Sequence, residues 1–333
     1  MIVENLIKSE EVRRVAADRM TRLSSALDIC APLLDGPIIL LDYPVHGNIG
    51  DLLIWLGEIE FFKRHGKQLL GQYNIDNIGK RARSMLEECS TICFHGGGNL
   101  GDLWPRHQKF REQVIREYPN KRIVIFPQSV YFGDRQELDK ACTILKKHPD
   151  LHIFLRDKNS LSLLQDKRLP NLVLCPDMAH ALWKKTHAPS STQTTSLYLL
   201  RRDKESANLL PEIESMRTDS SDWEDILTGW TRRAYLFGLR INEIDSEKVN
   251  DLIPVFYIWR TVSNIMVNRA IDLFAPHTTI VTNRLHAVIL ATLLGRQVFA
   301  YDNSYGKISS YVDCWMSDFP GVTMKTARSD LCQ

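Results

Sequence analysis

Apolar residues come in short runs, and most of these runs lead through a polar turn into a helical repeat. Pro37–Asp42 is almost unbroken in its apolar character, and Leu52–Arg64 then places its apolar residues at helical spacing. Thr91–Phe94 repeats the arrangement ahead of a helix over Gln108–Tyr118. Arg122–Phe126, His152–Leu155 and Leu172–Cys175 are further strand-like runs, and Ser160 is placed to cap a helix over Leu161–Gln165. Strand alternating with helix predicts an α/β first half with a five-stranded parallel sheet of the doubly wound kind. Ahead of it, residues 1–30 carry Ile7, Val12, Val15, Met20, Leu23 and Leu27, the apolar stripe of an amphipathic covering helix.

From Lys184 to Ser196 the chain turns polar, with Pro189 inside a Ser/Thr run, which predicts a linker. Leu197–Leu200 then starts a second sheet, expected to contain Thr279–Thr282 as well. Residues 206–270 are less regular, with helices predicted over Ser221–Leu239 and Val255–Phe274 and a polar stretch at Arg217–Ser220. Asn283 is an N-cap candidate for an apolar helix that Gly295 stops. Gln297–Ala300 is the next strand, followed by a turn to Lys307 and a helix over Ile308–Trp315. His277, at a strand start, reads as structural.

The composition is that of an ordinary globular protein: 333 residues, 44% apolar and 25% charged. A net charge of +2, with Lys and Arg dispersed, gives no argument for nucleic acid. The seven cysteines (Cys30, Cys89, Cys93, Cys142, Cys175, Cys314, Cys332) are odd in number and include no CxxC pair. That predicts reduced thiols rather than a disulfide frame, and no metal-ligand spacing appears. The opening residues, Met1 to Met20, are too polar for a secretory signal, and no apolar run approaches the roughly 20 residues that span a bilayer. A cytoplasmic protein is expected.

Parallel strands bring their carboxyl-end loops to one edge, where open α/β sheets bind ligands. Gly-Asn-x-Gly-Asp occurs there twice, at 47–51 and 98–102, with His46 and His95 alongside. Glycines admit a ligand to the backbone, and Asn and Asp bond hydroxyls, so His46, Asn48, Asp51, Asn99 and Asp102 are candidates for a sugar-sized site. The plainer alternative is a pair of tight turns with Asp caps. Neither copy fits the dinucleotide or P-loop fingerprints. Gln128, Ser129, Arg156 and Asp177 end further strands on the same edge. In the second half, three strand ends carry anion-binding groups: Arg201 and Arg202; Arg284 and His286 at a helix N-terminus; and Ser304, Tyr305 and Lys307.

Together with His95–Asn99, Pro127–Ser129, Arg201-x-Asp203-x-Glu205, Thr282-x-Arg284-Leu285-His286 and Asp302-Asn303-x-Tyr305-Gly306-Lys307, these motifs resemble the polysaccharide pyruvyl transferase family over about residues 40–315. The resemblance implies a GT-B-like fold, two Rossmann-like parallel-sheet domains facing across a cleft. The expected division is an acceptor-sugar domain at 1–185, a linker at 186–196 and a donor domain at 197–333. It implies transfer of pyruvate from phosphoenolpyruvate to two hydroxyls of a surface-polysaccharide sugar, or its lipid-linked precursor, with release of phosphate and no cofactor. A lipid-linked acceptor would bring the enzyme to the inner face of the membrane. The donor would meet Arg284, Leu285, His286 and Arg201 or Arg202, with Ser304, Tyr305 and Lys307 nearby. His286 would protonate the methylene carbon, and Asp177, His95 or His46, in that order, would take the hydroxyl proton. Competing readings are a GT-B glycosyltransferase using a nucleotide sugar and a non-catalytic sugar-binding protein of polysaccharide assembly.

Overall fold

Two parallel sheets organise the chain. The computed structural model describes residues 2–186, 195–202, 220–243, 255–302 and 306–325, with side chains from residue 11 onward. The first sheet contains β1 (Ile38–Leu41), β2 (Leu69–Tyr73), β3 (Thr91–Phe94), β4 (Gly97–Gly101), β5 (Arg122–Tyr131), β6 (Leu151–Leu155) and β7 (Leu172–Leu174). Its order is β2-β1-β3-β5-β6-β7, with β4 paired to the far end of β5. The second contains β8 (Ser196–Leu199), β9 (Thr279–Thr282), β10 (Gln297–Tyr301) and β11 (Val322–Lys325), in the order β11-β10-β9-β8. Every pairing among these strands is parallel.

The first sheet has seven strands rather than the expected five. β2 escaped because Gly71 and Gln72 interrupt its apolar pattern. β4 is the glycine run itself, which pairs with β5 past a register shift between Ile125 and Gln128 of the latter. β11 was likewise not predicted. The expected pairing of the Leu197 strand with the Thr279 strand is present as β8–β9.

Strand alternation divides the core as a pleated sheet requires. Ile38 and Leu40 of β1 face one apolar cluster, and Ile39 and Leu41 face another. The first cluster runs from α1 (Ile2–Ala26) through α2 (Ile49–Arg64) to α8 (Val255–Phe274), α9 (Leu285–Leu293), β9 and β10, so the two sheets share one core. The second fills the opposite face under α3 (Lys80–Glu88), α4 (Pro105–Glu117) and α5 (Arg135–Lys147). Among the described residues the remaining α-helices are α6 (Lys158–Asp166), α7 (Gly229–Glu243) and α10 (Lys307–Trp315).

Helix α2 is apolar almost all round because it lies between the sheets. Its Gly57 touches backbone: a Cβ there would lie 2.1 Å from Met178 O. Polar bonds add to the apolar contact between the halves. Trp259 Nε1 donates to Pro44 O at 2.6 Å, and Trp315 Nε1 donates to Arg156 O at 2.8 Å.

The cysteines of the described residues are free, five of them buried. Among the described residues no helix is long and apolar enough to cross a membrane. Most of the expected linker (187–194), Asp203 and Glu205, the Arg217–Asp219 stretch, Ser304 and Tyr305, and Cys332 lie outside the described residues.

Candidate active site

The N-terminus of α9 differs from the expectation. Arg284, not Asn283, occupies the N-cap position, with extended φ −116° and ψ 123° and no side-chain cap. Asn283 is fully buried, and its Oδ1 accepts from the Arg201 N–H at 2.6 Å, which ties the end of β8 to the end of β9. The Thr282 hydroxyl reinforces the tie by donating to Leu199 O at 2.6 Å. Gly295 does stop the helix, with φ 66° one residue past the Leu294 cap. In α6 the cap is Asp157, whose Oδ1 accepts from Ser160 N, so Ser160 is inside the helix rather than before it.

The arginine forks of the second sheet are largely engaged within the protein. Buried Arg284 meets Asp222 at both ends, Nη2–Oδ2 at 2.6 Å and Nε–Oδ1 at 2.5 Å. Arg202 turns to Ser220 O and to Asp225, 3.0 Å away, so its charge serves the 220–225 segment. Arg201 stands half-buried at the strand end. Leu285 opens the helix as a buried core residue.

His286 is the group that reaches across. Its Nε2 lies 3.3 Å from Asp177 Oδ2, at the far end of β7 in the other sheet. Its ring rests on α2 at Gly50, where a Cβ would come within 2.5 Å of Nδ1. Asp177 has no exposed surface. The same Oδ2 accepts from Arg156 Nη1 at 2.7 Å, and Oδ1 accepts from Ala179 N at 2.9 Å. Burial would push this carboxyl up, but His286, Arg156 and the Ala179 N–H outweigh it and hold it well below the usual range. Neighbouring His180 is driven down to about 4 by burial, and its Nε2 meets the Tyr311 hydroxyl at 2.8 Å.

Arg156 is aimed by a short relay. Its Nε donates to Ser129 Oγ at 2.9 Å, and that hydroxyl donates to Asp157 Oδ2 at 2.6 Å. This leaves Nη2 over the glycine run. A Cβ on Gly98 would lie 3.3 Å from Arg156 Nη2 and 3.9 Å from Lys307 Nζ, so cations from both sheets converge on one glycine. Lys307 is there because it opens α10 behind Gly306, whose φ is 66°.

Asp51, in the first turn of α2, faces the same space. Asn48 caps the helix through the Gly50 N–H at 3.0 Å and donates to Asp51 Oδ2 at 2.8 Å. His46 Nε2 is 3.6 Å from that carboxylate. Burial would raise Asp51, yet His46, His286, His95 and Arg156 together hold it below its ordinary value. His95 lies deeper, 2% exposed, with Nδ1 2.9 Å from Glu58 Oε2 and with Nε2 unpartnered among the described residues. Burial would lower this imidazole, and Glu58, aided by Asp51 and Asp42, raises it instead.

The second Gly-Asn-x-Gly-Asp copy does not supply its polar side chains to this space. Asn99 Oδ1 accepts from Arg111 Nη2 at 2.8 Å and from Gln128 Nε2 at 3.0 Å. Gln128 is fully buried and also donates to His95 O at 2.8 Å. Asp102 accepts from the backbone of Gly133 and Asp134 at 2.9 and 2.8 Å, holding the turn into α5. Asn99, Gln128 and Asp102 therefore brace the scaffold, and Ser129 aims Arg156.

Four residues escaped the sequence reading: Asp42, Glu58, His107 and Asp222. Asp42 ends β1 with φ 69°, an uncommon conformation for a residue with a side chain. Its Oδ1 lies 2.8 Å from His107 Nδ1, and its Oδ2 accepts from Asn99 Nδ2 at 3.2 Å. Glu58 carried a legible signal, since it is an acid within the apolar face of α2. Asp222 carried none, being one acid of a polar stretch.

A helix-borne imidazole on a buried carboxylate, beside an arginine and a lysine over glycine, can hold an anion and move a proton. EpsO of Bacillus subtilis (strain 168), which bears a pyruvyl transferase name, is 38% identical over 308 residues, covering 91% of this chain and 92% of that protein. Pyruvyl transferase 1 of Schizosaccharomyces pombe is 26% identical over 298 residues, covering 84% of this chain and 69% of that protein. The crystal structure of a functionally uncharacterized protein from Klebsiella pneumoniae superposes with a TM-score of 0.59 at 19% identity, covering 90% of this chain and 96% of the other, and so shares the fold. Residues 48–305, which run from the cap of α2 past His286, match the polysaccharide pyruvyl transferase family, and the chain belongs to it.

Proposed function

We propose that the protein transfers pyruvate from phosphoenolpyruvate to two hydroxyls of a polysaccharide sugar, closing a cyclic ketal and releasing phosphate. The observation that carries this reading is Asp177 Oδ2, which bonds both His286 and Arg156 and so places a proton donor beside an anion clamp. Phosphoenolpyruvate brings a phosphate and a carboxylate. Arg156 and Lys307 meet them over Gly98, where the missing side chain opens the backbone to an anion. Arg284 supports the site indirectly, by fixing the α9 N-terminus through Asp222.

His286 delivers its proton to the methylene carbon while a sugar hydroxyl adds to the neighbouring carbon. Such a positioned acid contributes about 10²–10⁴-fold. Asp177 stabilises the imidazolium and orients the ring. With three hydrogen-bond partners and a depressed pKa, it positions this group rather than serving as the base. His107 suits the base role: Asp42 holds Nδ1, which leaves Nε2 to accept the hydroxyl proton. His46 and Asp51 complete the sugar side. The second hydroxyl then displaces phosphate and closes the ring, its proton returning to His286 while His107 gives the proton it took to the departing phosphate.

The test is phosphate release from the purified protein with phosphoenolpyruvate and a panel of sugar acceptors, with products identified by mass spectrometry. Release that needs both substrates and yields the ketal is expected. Sugar transfer from a nucleotide sugar, with phosphoenolpyruvate inert, would overturn the reading.

A further inference from the structure

Helix α7 has two dissimilar faces. Thr231, Gly238 and Asn242 are buried, and Gly238 is pressed to α8, where a Cβ would lie 2.7 Å from the Trp259 ring. On the outer side Trp230 is 65% exposed, Leu236 49% and Phe237 56%. Arg233 and Arg240, two helical turns apart, lie opposite the buried stripe between these apolar residues, and Arg232 flanks it. The helix carries three arginines against one acid, Glu243. On α8, Tyr257 is 50% exposed with the Arg260 guanidinium 5.1 Å from its ring centroid. The acids just ahead of α7 are Glu224 and Asp225, and Asp225 is paired with Arg202.

The inner face of this helix roofs the acceptor side of the site. A Cβ on Gly47 would lie 3.0 Å from Leu227 and 3.5 Å from Tyr235. Asn242 Oδ1 accepts from the Tyr43 hydroxyl at 3.2 Å and from Asn74 Nδ2 at 3.2 Å. The outward aromatic and arginine surface therefore sits directly above the Gly47–Asp51 loop.

We propose that the outer face of α7 docks on an anionic lipid bilayer, with Trp230 and Phe237 entering the headgroup boundary and Arg233 and Arg240 meeting lipid phosphates. Charge complementarity selects this occupant: exposed aromatics interleaved with arginines fit a surface that is apolar below and anionic above. The docked helix holds the Gly47–Asp51 loop near the bilayer, beneath its own inner face. The docking stands on this surface, and the pyruvyl-transfer reading stands on the site beneath it.

Sedimentation of the full chain with vesicles separates the two. Vesicles of phosphatidylglycerol and phosphatidylcholine should carry the protein down, and phosphatidylcholine alone should not. Added salt should weaken the binding, because the phosphate contacts are exposed. Arg233→Gln and Arg240→Gln should each weaken it about fivefold. Trp230→Ser with Phe237→Ser should weaken it at least about tenfold, through lost apolar burial. Phosphate release with a soluble sugar acceptor should be unchanged in all of these variants. A wild-type chain left in the supernatant, equal binding by the variants, or a dimer that Trp230→Ser with Phe237→Ser splits would each overturn the docking. Vesicle binding without pyruvyl transfer would overturn the catalytic reading and leave the docking standing.

Discussion

Gly47-Asn48-Ile49-Gly50-Asp51 and Gly98-Asn99-Leu100-Gly101-Asp102 share a pattern and follow neighbouring, parallel strands, β1 and β3. Their surroundings give them different work. The first copy opens a helix, so Asn48 becomes a cap and Asp51 one turn on faces His46 and His286. The second copy forms β4, so Asn99 joins a scaffold network with Arg111 and Gln128 and Asp102 grips the next turn. The glycines differ in the same way. Gly50 makes room for the His286 ring, and Gly101, with φ 135°, makes room for the Tyr131 carbonyl. Gly98 of the second copy touches the site through the cations above it, and Asn99 braces Asp42 beside His107. A shared motif thus sets which atoms are available, and the element that follows sets which way they point.

The sharpest way to break this contrast is Gly101→Ala. A Cβ there would fall 1.7 Å from Tyr131 O at a backbone angle that side chains avoid. A loss of about 3–5 kcal/mol in denaturant unfolding is expected, from overpacking and strain combined. Unaltered stability would remove the scaffold role of the second copy. Gly50→Ala should behave in the opposite manner. It displaces the His286 imidazole, so turnover should fall about 10²-fold, with little change in unfolding midpoint. A wild-type rate would detach His286 from the chemistry.

Asp177 extends the test to pH. Its folded pKa is depressed, so its contribution to stability is complete above its unfolded value, 3.8, and drains away as pH falls below that toward the folded value. Chemical denaturation across the acid range should show this limb in the wild type and flatten it in Asp177→Asn. Parallel acid limbs would place the coupling elsewhere. The smallest effect belongs to Asp102→Asn, with about 0.5–2 kcal/mol lost as for a helix cap and turnover preserved. Asp51→Asn at the matching position should instead slow turnover markedly in a stable protein. Equal behaviour of the two variants in steady-state assays would mean that the copies do the same job.

Much of this was legible in the chain. Apolar runs followed by helical repeats marked most strands and their carboxyl ends, because burying a parallel strand on both faces demands such runs. His286, Lys307, Arg156 and Asp177 were legible as strand-end groups, and the structure brings them together. The strands that were missed, β2, β4 and β11, are short, and β2 and β4 are broken by glycine, so local pattern carries little signal for them. Asn283 was misjudged as a cap because capping depends on where the helix begins, and here the backbone of Arg201 takes the Asn283 side chain instead.

The sequence by itself therefore determined the layered α/β plan and the edge on which polar groups collect. Tertiary structure alone decided their division into scaffold and site. The reason is that a strand end fixes a position, whereas a side chain's task is fixed by its partner, and the partners are distant in the chain. Arg284 is held by Asp222, 62 residues away, and is buried there. His286, two positions on, meets Asp177, 109 residues away, and becomes the centre of the site.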